Sequence, residues 1–152
     1  MISPLLDSLL DPNHVVLDLQ GNTAAEAIWE MVELLGARGE LRQPKEFFEA
    51  VMEREMKSST VANGGVAFPH ARTQLVDQLL LGIGRSNRGI TFASEPEKAV
   101  HLLFVIAVPQ QMVNDYLICV GSLARRLNDE ATREALLKAE TPADFFARLR
   151  ET

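Results

Sequence analysis

The side chains best suited to chemistry in this sequence lie close together, within residues 54–72. This segment contains one imidazole, two guanidinium groups, several hydroxyl groups and two adjacent glycines. A neutral imidazole is a nucleophile near pH 7, because its pKa is ordinarily about 6.5. Guanidinium groups, hydroxyls and backbone N–H groups beside glycines are donors that suit phosphate oxygens. The segment is therefore suited to holding a phosphoryl group, and His70 is the candidate nucleophile.

Phosphoryl transfer depends mainly on positioning and charge stabilisation, so the chemistry requires no metal and no acid–base pair. The single cysteine and three histidines show no zinc-ligand spacing. We therefore expect no cofactor and no bound metal. A hydrolase that uses His70 as a base is disfavoured, because no paired nucleophile or orienting acid is visible in the sequence.

Other titratable residues are predicted to have structural roles. His14 lies in the turn before the first predicted strand and is expected to face solvent. His101 begins an apolar strand and is expected to make one hydrogen bond in the core or at the strand end. Glu53 and Glu55 are two positions apart on a predicted helix, so they point to different faces, and both are expected to be solvated.

Hydrophobic periodicity and turn residues predict the elements before His70. A strand is predicted at residues 15–19, followed by a helix that begins after Thr23, in capping-box spacing with Glu26, and ends at residues 36–39. A second helix is predicted from Pro44 to residues 55–57. Residues 58–65 have a loop composition and lead into a short strand at residues 66–68. His70 is thus expected at the exit of a strand, after Pro69.

The second half of the chain predicts two buried strands followed by three helices. Apolar runs at residues 79–83 and 99–108 are continuous, which indicates burial on both faces, and turns are predicted at 87–89 and 95–97. Helices are predicted at 113–127, at 129–139 with Asn128 as the cap, and at 142–150 with Thr141 as the cap. The predicted fold class is α/β, a three-layer sandwich with a mixed β-sheet flanked by helices on both faces.

Composition narrows the class of protein further. A chain of 152 residues with 47% hydrophobic content is expected to form a single domain over residues 1–152. A formal net charge of −6 argues against nucleic acid as the main partner. The longest apolar run, residues 102–108, is too short for membrane insertion, and the N-terminus lacks a basic region before its apolar residues. One lone cysteine favours a reducing compartment, so a cytoplasmic protein is expected.

The order of these residues resembles a known family. Three motifs follow one another as they do in that family: an Arg-Glu pair at 54–55, a Ser-Thr pair at 59–60, and a glycine-flanked segment at 65–72 that ends in Pro-His-Ala-Arg. The chain resembles the type-2 enzyme IIA family of the bacterial phosphoenolpyruvate:sugar phosphotransferase system, in its mannitol/fructose and nitrogen-regulatory branch. Residues 81–92, 100–109, 123–127 and 141–145 extend the resemblance over nearly the whole chain.

The resemblance implies roles for individual residues. His70 matches the histidine that takes a phosphoryl group from the histidine-containing phosphocarrier protein. Arg54 matches an active-site arginine whose charge offsets the phosphoryl oxygens, and Thr60, with Ser59 beside it, matches a hydroxyl position near the same pocket. For Arg72, a site role and a surface ion pair are both open. The implied partners are the phosphocarrier protein and either a IIB domain or a regulatory target protein.

The sequence departs from the family pattern at Tyr116. The family carries a second active-site histidine at this place, whereas a phenol donates one hydrogen bond and does not become a cation near neutral pH. Asp115 would disfavour an incoming anion if its carboxylate faced the pocket. Tyr116 is therefore either a tolerated replacement or a sign of slower or redirected transfer. The alternative function is a regulatory protein-binding module with an attenuated or lost phosphotransfer site. A chain of this length without a visible IIB or IIC part slightly favours a regulatory role.

Overall fold

The computed structural model describes residues 1–151. Within them the chain forms six α-helices and a six-stranded sheet. The helices are α1 Pro4–Ser8, α2 Ala24–Gly36, α3 Pro44–Lys57, α4 Val113–Leu127, α5 Glu130–Leu137 and α6 Pro142–Arg150. The strands are β1 Val15–Val16, β2 Val61–Ala62, β3 Val66–Ala67, β4 His70–Thr73, β5 Leu80–Thr91 and β6 Ala99–Pro109.

The sheet is mixed, as predicted, and β6 is its central strand. One edge of β6 pairs antiparallel with β5, which in turn pairs parallel with β1. The other edge pairs parallel with β3 and then, further along, parallel with β4. β2 completes the sheet by pairing antiparallel with β3. Two short strands therefore follow each other along one edge of β6, and the chain between them carries the candidate site.

Helices cover both faces of this sheet. β6 supplies alternate side chains to two cores, because successive side chains of a strand point to opposite faces. Leu103 and Val105 pack in the core beneath α2 and α3. Leu102 and Phe104 pack in the opposite core, with buried side chains of α1, α4, α5 and α6. The three-layer prediction is confirmed, and within residues 1–151 no helix is long and apolar enough to cross a bilayer.

Three helix starts predicted from local residue types, those of α2, α3 and α6, are confirmed. Thr23 Oγ1 accepts the backbone N–H of Glu26, and the Glu26 carboxylate accepts the backbone N–H of Thr23, which completes the capping box of α2. Pro44 occupies the first turn of α3. Thr141 caps α6 by accepting the backbone N–H of Asp144. These starts were predictable because each cap involves residues at most three positions apart.

Several strand predictions were wrong in extent. β1 covers only two of the five predicted residues, since only Val15 and Val16 pair with β5. The predicted loop at 58–65 contains β2, which forms a hairpin with β3 around Gly64 and Gly65, both at positive φ. The predicted turn at 87–89 is instead an irregularity within β5, where the register against β6 shifts. These residues have no partner on β6, so they form a bulge between the pairs Arg85–Leu102 and Ile90–Val100.

The helical half required two corrections. Asn128 caps the C-terminus of α4 rather than beginning the next helix, and Asp129 is the N-cap of α5, which ends at Leu137. α1 was not predicted, because a five-residue helix has too little periodicity to be recognised. Ser3 caps it, and the Ser3 backbone N–H also donates to Ser122 Oγ on α4 over 2.9 Å.

The predictions for the two histidines outside the candidate site, His14 and His101, had different outcomes. His14 was expected in solvent, but only 4% of it is exposed. A 3₁₀ turn at Pro12–His14 places its Nε2 3.3 Å from Glu40 Oε1, in the connection between α2 and α3. The prediction for His101 is confirmed, since its Nδ1 lies 2.8 Å from the Ser86 carbonyl oxygen.

Candidate functional site

His70 lies at the junction between β3 and β4. It follows Pro69, as predicted, but it also begins β4 rather than simply leaving a strand. It stands opposite Ile106 on β6. The Pro69 carbonyl oxygen accepts the backbone N–H of Ile106 over 3.0 Å, which ties the preceding peptide to the centre of the sheet. The backbone of His70 is therefore held by the central strand of the sheet.

One hydrogen bond determines which imidazole nitrogen is available. His70 Nδ1 lies 2.9 Å from the Phe68 carbonyl oxygen, and a carbonyl can only accept. Nδ1 therefore carries the proton in the neutral ring, and Nε2 carries the lone pair. Phe68 precedes a proline, which restricts its backbone to extended conformations and so limits the directions its carbonyl can take. The local sequence Phe-Pro-His thus presents Nε2 as the nucleophilic atom.

Tyr116 is the aromatic neighbour of His70, as the sequence order predicted. It lies in the first turn of α4, and the two ring centroids are 4.8 Å apart with an interplanar angle of 30°. Its hydroxyl oxygen is 3.4 Å from both Nδ1 and Nε2. A point equally distant from both nitrogens does not lie along the in-plane lone pair of either, and the distance is long for such a bond. Tyr116 therefore covers the ring and leaves the Nε2 lone pair unoccupied.

Burial keeps both rings uncharged near neutral pH. Desolvation lowers the pKa of His70, the Phe68 carbonyl raises it, the Arg54 charge lowers it and the Glu55 charge raises it, with a net shift below 6.5. Burial also raises the pKa of the Tyr116 phenol, which the Arg54 charge partly offsets. At pH 7 the site therefore presents a neutral imidazole beside a protonated phenol.

His70 and Arg54 line one cleft of about 290 Å³. Its lining residues are Ala50, Glu53, Arg54, Lys57, His70, Ala71 and Arg72. Lys57 Nζ lies 3.3 Å from Glu53 Oε1, so the single carboxylate of the cleft is matched by one cation. The two guanidinium groups remain as excess positive charge, in a chain of net charge −6. The cleft is thus locally suited to an anion.

Arg54 and Arg72 contribute differently to this cleft. The Arg54 Nη1 donates to the Ser58 carbonyl oxygen over 2.7 Å, so the guanidinium is held in place by the end of its own helix. A guanidinium has five N–H donors, and this contact uses one of them. Arg72 is exposed on β4 and also lines the cleft. Arg54, for which the resemblance implied a site role, and Arg72, whose role was open, therefore both line the cleft with His70.

The two predicted hydroxyls are engaged in loop contacts. Thr60 Oγ1 donates to Glu55 Oε1 over 2.6 Å, and the Thr60 backbone N–H donates to Oε2 over 2.8 Å. While that bond holds, Thr60 has no hydroxyl proton left for a phosphoryl oxygen. Ser59 Oγ accepts from the backbone N–H of Val61 and from the Ser94 hydroxyl. The Ser59 hydroxyl proton is therefore not used in either of these two contacts.

Two carboxylates near the site differ in their surroundings. Glu53 and Glu55 point to different faces of α3, as predicted, but Glu55 is only 5% exposed and the expectation that it is solvated was wrong. Sequence reasoning missed it because its hydrogen-bond partner, Thr60, lies beyond the end of the helix. The second carboxylate, Asp115, affects the thiol of Cys119. Burial is the larger cause and the Asp115 charge the smaller one of a thiol pKa raised to about 11.

Comparison with known proteins places this arrangement in a family. The sequence pattern of the Phosphoenolpyruvate-dependent sugar phosphotransferase system, EIIA 2, matches residues 8–152. The PTS system fructose-specific EIIA component of Haloferax volcanii is 34% identical over 119 residues, which cover 78% of this chain and 77% of that protein. The PTS system fructose-specific EIIABC component of Bacillus subtilis is 32% identical over 136 residues, 90% of this chain. This chain spans only 21% of that longer protein.

The fold agrees with the sequence match. The crystal structure of nitrogen regulatory protein IIA-Ntr from Neisseria meningitidis superposes with a TM-score of 0.87 at 28% identity, covering 95% of this chain and 99% of the other. The match therefore includes both helical layers and the sheet that carries His70. With a family pattern that runs from the end of α1 through α6, this chain belongs to the type-2 EIIA family of the phosphoenolpyruvate-dependent sugar phosphotransferase system.

Proposed function

We propose that this chain is a cytoplasmic phosphoryl carrier in which His70 Nε2 accepts a phosphoryl group from a histidine-containing phosphocarrier protein. The observation that carries the proposal is the bond from Nδ1–H to the Phe68 carbonyl, which leaves Nε2 as the unprotonated nitrogen beside a cationic cleft. The lowered pKa of His70 supports it, because the nucleophilic form then predominates at pH 7. Family membership supports the phosphoryl chemistry itself.

The step involves one bond formed and one bond broken. The Nε2 lone pair attacks the phosphorus of the donor's phosphohistidine, an Nε2–P bond forms, and the donor's N–P bond breaks. The electron pair of that bond returns to the donor's imidazole nitrogen. Throughout, Nδ1–H remains donated to Phe68, and Arg54, with Arg72 at the same cleft, offsets the charge on the phosphoryl oxygens.

The phosphoryl group then leaves to a IIB domain or stays as a regulatory mark. Relatives of both kinds support this proposal. One is named a fructose-specific EIIA component and another an EIIABC component, whereas the structural relative from Neisseria is named a nitrogen regulatory protein. A relative from Bradyrhizobium diazoefficiens, 28% identical over 131 residues, is also named a nitrogen regulatory protein.

The test is reconstitution of the phosphoryl relay. The purified chain is incubated with phosphoenolpyruvate, enzyme I and the phosphocarrier protein, and its intact mass is measured. We expect one acid-labile phosphoryl adduct on the wild type and none on His70→Ala. His101→Ala is the matched control, since His101 hydrogen-bonds Ser86 outside the cleft, and it should be labelled like the wild type. An unlabelled wild type, or a labelled His70→Ala variant, contradicts the proposal.

A second candidate function is a regulatory docking module whose phosphotransfer is attenuated. Tyr116 is the specific observation that favours it, because a phenol with a raised pKa offers no positive charge to the phosphoryl group beside His70. Its hydroxyl is also not aligned with either imidazole nitrogen. The position that carries a second histidine in the family pattern thus supplies packing here instead of a cation.

The Tyr116→His variant separates the two functions. A wild type that is labelled slowly and a variant that is labelled faster would support attenuation, with the rest of the site intact. Equal labelling rates would show that Tyr116 is a tolerated replacement and would favour the carrier function. Tyr116→Phe serves as the control, because it keeps the aromatic packing on His70 and removes only the hydroxyl.

A further inference from the structure

Glu55 is an unusual residue in this fold, because it is a buried carboxylate without a cation. Only 5% of it is exposed, and within residues 1–151 no lysine or arginine forms an ion pair with it. Burying a charge is costly unless hydrogen bonds compensate for the lost water. Both of its oxygens accept from one residue, Thr60, through the backbone N–H and the hydroxyl. The carboxylate therefore clamps the chain just after α3.

A chain of hydrogen bonds connects this clamp with the imidazole. The Thr60 carbonyl oxygen accepts the backbone N–H of Phe68 over 3.3 Å, next to the paired strands β2 and β3. The Phe68 carbonyl oxygen then accepts Nδ1–H of His70. Fixing Thr60 thus fixes Phe68 from one side, while Pro69 is fixed to Ile106 from the other. The direction of the Phe68 carbonyl, and with it the tautomer of the ring, depends on both attachments.

We propose that Glu55 is the positioning residue of this site, holding the His70 ring through Thr60 and Phe68 so that Nε2 stays unprotonated. The proposal rests on the phosphoryl-carrier function above and assigns to Glu55 a role in it without contact with the phosphoryl group. The Thr60 hydroxyl then serves the clamp rather than the phosphoryl oxygens, since its one proton is donated to Glu55.

The charge of Glu55 acts on His70 in the opposite sense to its hydrogen bonds, because it favours the protonated ring. It raises the pKa of His70 and so opposes the effect of Arg54, which is the neighbouring residue on α3. The Arg54 side chain also binds the Ser58 carbonyl, so the Arg-Glu pair secures residues 58–60 by two side chains. This gives a physical reason for an arginine and a glutamate in adjacent positions at the end of the helix.

The experiment measures the tautomer of His70 by ¹⁵N NMR in the unphosphorylated protein. In the wild type we expect a protonated Nδ1 and an unprotonated Nε2. In Glu55→Gln the amide oxygen can still accept one hydrogen bond from Thr60. The amide NH₂ group, itself a donor, then faces the other Thr60 donor, so that bond is lost and we expect a mixture of tautomers. Thr60→Val removes the hydroxyl and should act likewise, whereas Thr60→Ser restores it and the wild-type tautomer. Glu49→Gln, on an exposed position of α3, is the matched control.

The rate of phosphoryl acceptance is the second measurement. We expect Glu55→Gln and Thr60→Val to slow it roughly 10-fold, the lower end of the range for outer residues that orient a functional histidine. Thr60→Ser and Glu49→Gln should remain close to the wild type. If Glu55→Gln does not fold in thermal unfolding, the Thr60→Val and Thr60→Ser pair decides the question.

The two proposals fail separately in this design. Folded Glu55→Gln and Thr60→Val variants that keep the wild-type tautomer would overturn the role of Glu55, whatever the rate of phosphoryl acceptance. A wild type that accepts no phosphoryl group, while its variants still change tautomer, would support the positioning by Glu55 and overturn the carrier function instead.

Discussion

At the scale of single residues, His70 is held by opposing influences. Burial and the Arg54 charge favour the neutral ring, whereas the Phe68 carbonyl and the Glu55 charge favour the protonated one. In the proposed function the nucleophile must be neutral to attack, and the same site must accept an anion, which requires a nearby cation. Placing the cation on Arg54 rather than on a second histidine meets both needs, because an arginine stays charged at every physiological pH.

The titration of His70 tests this balance. Its pKa is lowered, so the midpoint measured by NMR should lie below 6.5, and Arg54→Gln should raise it because a repelling charge is removed. The direction of this pKa shift also determines how stability depends on pH. Below pH 6.5 the unfolded chain binds a proton more readily than the folded site does, so the free energy of unfolding decreases as the pH is lowered. Arg38→Gln, on an exposed residue, is the control. A midpoint above 6.5 would contradict the prediction.

At the scale of elements, Arg85 of β5 connects parts of the fold that are distant in sequence. It is only 9% exposed, and its guanidinium donates to the carbonyl oxygens of Leu17, Leu136 and Ala139. Leu136 lies in the last turn of α5, where carbonyls lack partners within the helix. Burial lowers the pKa of Arg85, which still remains charged. One side chain thus ties β5 to the end of a helix about fifty residues later.

Replacing Arg85 should therefore destabilise the protein strongly. We expect Arg85→Met to lower the free energy of unfolding by about 3 kcal/mol, since it removes three hydrogen bonds and takes the Arg85 donor from the buried Ala139 carbonyl. Arg88→Met removes a surface arginine of the same strand, whose single bond is to the exposed Gln20 carbonyl, and should change little. Urea unfolding of both variants measures the difference. Similar free energies of unfolding for the two variants would show that the Arg85 contacts contribute no more to stability than the surface contact of Arg88.

At the scale of the whole molecule, β6 belongs to both cores and to the site. Phe104 is fully buried in the core that faces α4 and α6. Its ring stacks on Phe68, with centroids 5.7 Å apart and an interplanar angle of 25°. Phe68 in turn supplies the carbonyl that holds His70. The packing of the core and the orientation of the imidazole are therefore coupled through one aromatic pair.

Truncating Phe104 should affect stability and the site together. We expect Phe104→Ala to lower the free energy of unfolding by about 4 kcal/mol, from lost burial and the cavity that remains. Chemical denaturation measures this value, and NMR of the folded fraction should show a changed His70 environment. Leu137→Ala, at a residue that is 39% exposed on α5, is the control and should cost much less. An unchanged His70 signal in folded Phe104→Ala would contradict the coupling, and a loss of stability no larger than in the control would contradict the predicted cost.

The sequence by itself determined the features that depend on neighbours a few residues apart. The capping box of Thr23 and Glu26 and the Thr141 cap are hydrogen bonds within one helical turn, and Pro44 starts α3 through its own restricted backbone. The continuous apolar run of β6 correctly indicated burial on both faces. The order of the Arg-Glu pair at 54–55, the Ser-Thr pair at 59–60 and the Pro-His-Ala-Arg segment also indicated the family and, through it, that Arg54 and His70 share one site.

Only the tertiary structure decided what depends on partners far along the chain. The turn residues at 87–89 became a bulge within β5, because the strand pairs with β6 on both sides of them, at Arg85 and at Ile90. His14 is buried and contacts Glu40, and Glu55 is buried and bonds the loop that contains Thr60. Local residue type carries no information on such contacts, because the free energy of burial is set by whatever the folded chain places opposite each side chain. The tautomer of His70 combines both kinds of contact, since the Phe68 carbonyl is two residues away whereas Phe68 and Pro69 are themselves bonded to Thr60 and Ile106.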